Sequence, residues 1–152
     1  VELRPALPEH YRQIIDTHIE AFRDSWGYHE MDREKAIDGF IDSPVFQPHL
    51  WQIAWHGDEV VGQVKPFIVQ EENEEFGRKR GYVEFISTSK PWRGKGIASA
   101  LIAKALYRIK EEGMTEAALG VDTENIHGAM KLYEKMGFRK HMLGMTYRKA
   151  LV

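Results

Sequence analysis

The chain has 152 residues, 43% hydrophobic and 29% charged, enough for one globular domain, residues 1–152, with a sizeable core. Lys plus Arg number 21 against 23 Asp plus Glu, so overall charge recruits neither nucleic acid nor an anionic membrane, and any anion binding must be local. The absence of cysteine excludes a disulfide framework, a Cys-ligated zinc site and a Cys nucleophile, and is compatible with a reducing cytoplasm. No apolar run approaches the roughly 18–20 residues of a membrane span, and the N-terminus lacks the layout of a signal peptide. A cytoplasmic location without membrane contact is therefore expected. The chain opens on Val1 rather than Met, which suits either a processed chain or an excerpt of a longer polypeptide.

Glu2-Leu3-Arg4-Pro5 reads as a short strand closed by proline, and Pro8-Glu9 opens a helix with Ile14, Ile15, Ile19 and Phe22 at helical spacing. The aromatic segment from Phe22 to His29 breaks that pattern and reads as a loop. Asp32 is placed to cap a second helix through Ala36, Ile37, Phe40 and Ile41, which ends before Pro44. Leu50–Trp55 and Glu59–Val69 are β-rich runs joined by His56-Gly57-Asp58, a hairpin signal. Glu71–Glu75 and the residues to Gly81 read as a polar loop before a strand over Tyr82–Thr88.

The stretch Lys90-Pro91-Trp92-Arg93-Gly94-Lys95-Gly96-Ile97-Ala98 then turns into a helix over Ile97–Glu112. Its apolar face carries Leu101, Ile102, Ala105, Leu106 and Ile109, and Gly113 stands at its end. Glu116–Asp122 reads as a buried strand, so strand, helix and strand form a right-handed parallel crossover. A helix over Asn125–Met136, Gly137 at its end, and one or two strands over Phe138–Lys149 complete the chain.

A strand that ends in a basic, glycine-containing turn and opens a helix leaves backbone N–H groups unpaired at the positive end of the helix dipole. Gly94 and Gly96 let the backbone approach a bulky polyanion, and Lys90, Arg93 and Lys95 add positive charge, which suits a pyrophosphate. The alternative is that the glycines only make a tight turn. The Walker A pattern fails because Gly94-Lys95 is followed by Gly96, and the dinucleotide fingerprint is matched only weakly because Gly94-x-Gly96 ends at Ser99, late in the chain and after antiparallel strands.

Arg93-Gly94-Lys95-Gly96-Ile97-Ala98 resembles the Gln/Arg-x-x-Gly-x-Gly/Ala signature of the GNAT superfamily of N-acetyltransferases. Asn125, with Leu132-Tyr133-Glu134-Lys135-Met136-Gly137-Phe138, resembles that superfamily's Asn…Leu-Tyr-x-x-x-Gly-Phe segment at the expected distance. Segments Ala21–Gly27, Lys90–Gly94 and Ala117–Asp122 are similar, more loosely, to domains of tandem mycothiol-synthase-like acetyltransferases. The resemblance implies an α/β (α+β) fold: a mixed, mostly antiparallel sheet of six to seven strands flanked by about four helices, with a splayed parallel pair of central strands.

It further implies that the cofactor is acetyl-CoA (coenzyme A) and that the reaction is direct acetyl transfer to a primary amine. Cofactor-binding positions carried over are Ile86, Thr88, Arg93, Gly94, Lys95, Gly96, Ile97, Ala98 and Asn125. An ammonium has no lone pair with which to attack a thioester, so a base must take its proton, and Glu84 on the strand leading into the turn is the candidate. A salt-bridged or solvent-facing strand acid is the other reading of Glu84. Tyr133, a phenol with an ordinary pKa of about 10, matches the family's general-acid tyrosine, which protonates the departing thiolate. The acceptor pocket is expected at Trp26, Tyr28 and His29, joined by Trp51, Gln63 and Lys65 from the strands opposite. A small-molecule or peptide amine is the expected acceptor, and the oligomeric state is left at monomer or homodimer. The seven histidines show no paired ligand spacing, so no metal is expected. The competing reading is a non-catalytic acyl-CoA-binding domain, a sensor or the inert half of a tandem protein.

Overall fold

The computed structural model describes residues 1–22, 32–120, 126–141 and 146–151. Short strand β1 (Glu2–Arg4) is followed by α1 (Tyr11–Ala21) and α2 (Arg33–Ile41), the latter capped by the Asp32 carboxylate, which accepts from Lys35 N. Strands β2 (Gln52–His56) and β3 (Glu59–Val64) form the expected hairpin around Gly57, whose φ of +61° suits the turn. Then come β4 (Phe67–Ile68), α3 (Gln70–Phe76), β5 (Arg80–Tyr82), β6 (Ser87–Thr88), α4 (Ile97–Glu111) and β7 (Glu116–Gly120). Helix α5 (Ile126–Lys135) and strands β8 (Arg139–His141) and β9 (Thr146–Ala150) close the order.

The strands form two ladders, β1-β2-β3-β6 and β4-β5-β7-β9-β8, with β5 and β7 the parallel pair. Two expected strands each break and change ladder, so the described residues hold nine strand segments rather than six or seven. The run over residues 59–69 parts at Lys65-Pro66, where proline has no N–H to give. The run over 82–88 parts at Phe85, whose φ of +56° lies in the left-handed region. Gln63 faces Ser87 and Phe67 faces Tyr82, so four steps on one strand answer five on the other. That surplus residue is a β-bulge, and it turns β6 away from β7 toward β3.

Glu71–Glu75, expected as a loop, lies within α3. Gly77, at φ +59°, closes that helix, and the buried Asn73 side chain ties it to the Arg80 backbone at both N and O. Helices α1 and α2 cover one face of the first ladder, over Ile53, Trp55 and Val60. Helix α4 covers the opposite face, over Ala54 and Val61. This is the two-faced burial expected of alternating strand side chains. No helix among the described residues is long and apolar enough to cross a membrane.

Candidate active site

The C-terminal ends of β5 and β7 and the N-terminus of α4 lie at one edge of the parallel crossover, the usual place for a ligand in such a unit. Lys90–Trp92 form a single 3-10 turn, Arg93 is extended, and Gly94 and Gly96 take φ of +76° and +81°. Gly96 is the N-cap of α4, and no side chain caps the helix. The first-turn amides, from Ile97 and Ala98 onward, thus lack the cap that would otherwise occupy them. A Cβ at Gly94 or Gly96 would meet nothing within 4 Å, so the backbone stands open. Exposed Lys95 stands between the two glycines. An uncapped helix N-terminus on an open, basic backbone fits a phosphate-bearing ligand.

Arg93 is positioned differently from the expectation that its charge serves an anion. Its Nε donates to Thr88 O at 3.0 Å and its Nη2 to Ala21 O at 2.9 Å. The guanidinium therefore braces the end of α1 against the turn. Thr88 lies in β6 opposite Gly62, and Ile86, just past the bulge, packs against the core that carries α4.

Behind the turn the parallel strands separate. Val83 N reaches Ala118 O at 2.9 Å, but the Gly120 N–H is taken by the Glu84 carboxylate at 3.1 Å. Glu84 thus spans the mouth of the splay. Burial pushes its pKa up, and the bond from Gly120 N partly offsets this. The bulge also cancels the simple alternation that would put Tyr82, Glu84 and Ile86 on one face. Tyr82 instead stacks on Phe67 and bonds Glu72 of α3.

Tyr133, on α5, is buried and packs against Phe138, with ring centroids 6.3 Å apart. Burial raises its pKa first, and the Glu84 charge raises it further, so the two groups are within electrostatic reach. The phenol keeps its proton at neutral pH. Trp26, Tyr28, His29 and Asn125 lie outside the described residues. No group of three or more acidic or histidine side chains that could hold a metal ion occurs among the described residues.

On the α1/α2 side of the splay, sequence reasoning placed Trp51, Gln63 and Lys65 together but missed the character of the lysine. Lys65 is 1% exposed. Its Nζ stands 5.6, 5.7 and 5.8 Å from the ring centroids of Trp51, Phe40 and Phe85. It donates to Gln63 Oε1, while Gln63 Nε2 donates to Ile14 O at 2.9 Å. Burial lowers the Lys65 pKa to about 7. His18 Nδ1 lies 2.9 Å from Ser87 Oγ nearby, its pKa held well below the usual value by burial first and then by the Lys65 charge. The available signal was a lysine followed by proline inside a largely apolar strand run.

Residues 11–138 match the profile of the Acetyltransferase (GNAT) family. N-alpha-acetyltransferase MAK3 of Arabidopsis thaliana is 35% identical over 91 residues, covering 60% of this chain and 45% of that protein. Mycothiol acetyltransferase of Geodermatophilus obscurus is 28% identical over 111 residues, covering 70% of this chain and 34% of that protein. The chain thus spans less than half the length of these two relatives. A GNAT acetyltransferase structure from Staphylococcus aureus Mu50 superposes with a TM-score of 0.76 at 14% identity, over 99% of both chains. With the match running from the start of α1, through the open turn before α4 and the splay, to Phe138, this chain belongs to the GNAT family of acetyltransferases.

Proposed function

We propose that this acyltransferase moves the acetyl group of acetyl-CoA to a primary amine by direct attack. Acetyl-CoA is the family's donor, and the open backbone at Gly94 and Gly96 with the uncapped start of α4 suits its pyrophosphate. Lys95 adds charge there, and Arg93 holds the turn against α1. The observation that carries the reading is the Glu84 carboxylate spanning the splay to Gly120 N, with its pKa raised by burial and its charge acting on the buried Tyr133 phenol. A carboxylate of raised basicity accepts a proton from the incoming amine, and a buried phenol that stays protonated supplies one to the departing thiolate. The acceptor is a peptide α-amine or a small-molecule amine, a reading supported by an N-alpha-acetyltransferase and a mycothiol acetyltransferase among the relatives.

A thiol-release assay with acetyl-CoA across a panel of amines tests this. Release that depends on an amine is expected, and Tyr133→Phe is expected to lower kcat by about a hundredfold while acetyl-CoA affinity holds. Unchanged turnover in that variant would remove Tyr133 as the acid. Tight acetyl-CoA binding without transfer to any amine would leave only the acyl-CoA-binding reading.

A further inference from the structure

The described residues hold two deeply buried basic side chains, and they differ in one respect. Arg80 is 3.4 Å from the Glu116 carboxylate. Among the described residues Lys65 meets no carboxylate: its hydrogen-bond partner is the neutral Gln63 amide, and the rings of Trp51, Phe40 and Phe85 stand around its head. An ammonium offers three donors, and one acceptor answers them here. The Trp51 ring beside it adds another, since its Nε1 is buried with no hydrogen-bond partner and the residue is only 3% exposed. The amide N–H of Gln63 is already engaged with Ile14 O. Among the described residues this cluster therefore has donors in excess of acceptors, which native interiors avoid unless something else supplies the acceptor.

Its place in the fold says what that something serves. Lys65 N donates to Glu84 O at 2.9 Å, so the lysine is the ladder neighbour of the proposed base. Its side chain lies on the α1/α2 face, between Phe40 of α2 and the bulge residue Phe85. An acceptor that approaches Glu84 from that face passes the strand position that carries Lys65.

We propose that Lys65 is a specificity-determining residue that receives a carboxylate of the acceptor, with Trp51 Nε1 as the second donor. A carboxylate accepts from both groups and neutralises the ammonium where an apolar or cationic acceptor would leave it uncompensated. Among the described residues the titratable groups facing the lysine are His18 from α1, which burial keeps neutral, and Glu84, which faces it through its backbone carbonyl. Neither supplies the missing charge. Burial lowers the pKa of Lys65, and it is expected to rise when a carboxylate arrives.

The inference rests on the acetyltransferase reading and deepens it by naming an amine that carries a carboxylate. Two matched acceptor pairs test it: C-terminally amidated peptides beginning with Glu or Gln, and β-alanine against β-alaninamide. Wild type is expected to favour the carboxylate member of at least one pair by about tenfold in kcat/KM, chiefly through KM. The pair that responds tells a peptide side chain from a small acid. Lys65→Met is expected to bring that ratio to about one, and Lys65→Arg to keep its direction. No preference in wild type, or an equal loss for both members in Lys65→Met, overturns the proposal. If no amine is acetylated, the acetyltransferase reading fails first, and lysine-labelled NMR still decides the site. Succinate, but not its diamide, is expected to shift the Lys65 ε resonance saturably and to raise its pKa, whereas an unmoved signal overturns the proposal.

Discussion

Glu84 carries two demands that act on its proton in opposite directions. The Gly120 N–H at 3.1 Å favours the carboxylate, and burial disfavours it more strongly, so the group titrates above the ordinary carboxylate range. A base must be deprotonated to act, so a raised pKa moves the acidic limb of the kcat/KM profile upward in pH. Glu84→Gln is expected to lower kcat/KM by about a hundredfold and to abolish that limb, read as initial rates from pH 5 to 9 with an acceptor whose own pKa lies outside that window. An unchanged limb would return Glu84 to the role of a brace across the splay. Lys65 gives the complementary prediction in stability. Its folded pKa of about 7 lies below the ordinary lysine value of 10.5, so below pH 7 both folded and unfolded chains hold the proton and the burial cost is fully present. Between 7 and 10.5 the unfolded chain binds more protons, and stability rises with pH. Lys65→Met, similar in length, is expected to be more stable than wild type at pH 7 by a few kcal/mol, with the advantage shrinking toward pH 10. Urea melts at pH 7, 8.5 and 10 measure it. An advantage that did not change with pH would mean that packing, not charge, sets the difference.

Helix α4 is held against the splayed strands by glycines at both ends. A Cβ at Gly62 would come within 2.7 Å of Ile97 Cγ2, and one at Gly81 within 2.9 Å of Ile109 Cδ1 and 3.1 Å of its Cβ. Ile109 is fully buried and branched at Cβ, so it has little room to yield. Gly81→Ala is expected to cost about 1–3 kcal/mol by overpacking, whereas Gly39→Ala in α2, with nothing within 4 Å, is expected to stabilise by about 0.5–1 kcal/mol. Chemical denaturation of the two variants side by side checks both signs. The same elements show what the sequence could convey. The face of α4 was readable because Leu101, Ile102, Ala105 and Ile109 recur at helical spacing, and the turn before it because glycines and basic residues lie together. Helix α3 was not, because six polar residues in a row carry no amphipathic period, and its closing pair Phe76-Gly77 was the local stop signal. The Phe85 bulge was also out of reach, since it exists only as a mismatch of steps between two strands far apart in sequence. With it went the true surroundings of Glu84 and the aromatic chamber of Lys65. Arg93 looked like an anion ligand because nothing local reveals that Ala21 O would lie 2.9 Å away.

At the scale of the whole molecule, the turn before α4 joins both faces of the sheet. Through Arg93 it bonds the end of α1, and through Gly96 it starts α4, so a ligand seated there bears on helices packed on opposite faces. A ligand that binds only the folded chain stabilises it by mass action, by about 2.7 kcal/mol at a hundred times its dissociation constant, or roughly 5–10 °C for a domain of this size. Coenzyme A is expected to raise Tm by that amount, read by differential scanning fluorimetry, and the rise is expected to shrink as salt screens the phosphates. Gly96→Glu places bulk and negative charge at the proposed pyrophosphate site, and is expected to abolish the rise. Because Gly96 takes φ +81°, that variant also strains the helix start, so a lower Tm without ligand is expected as well. Lys95→Glu separates the two effects. Lys95 is exposed, so its reversal is expected to leave the unliganded Tm within about 1 °C while weakening coenzyme A by about tenfold or more. A full ligand-induced rise in both variants would move the donor site away from this turn, and with it the reason for α4 to begin on a bare glycine.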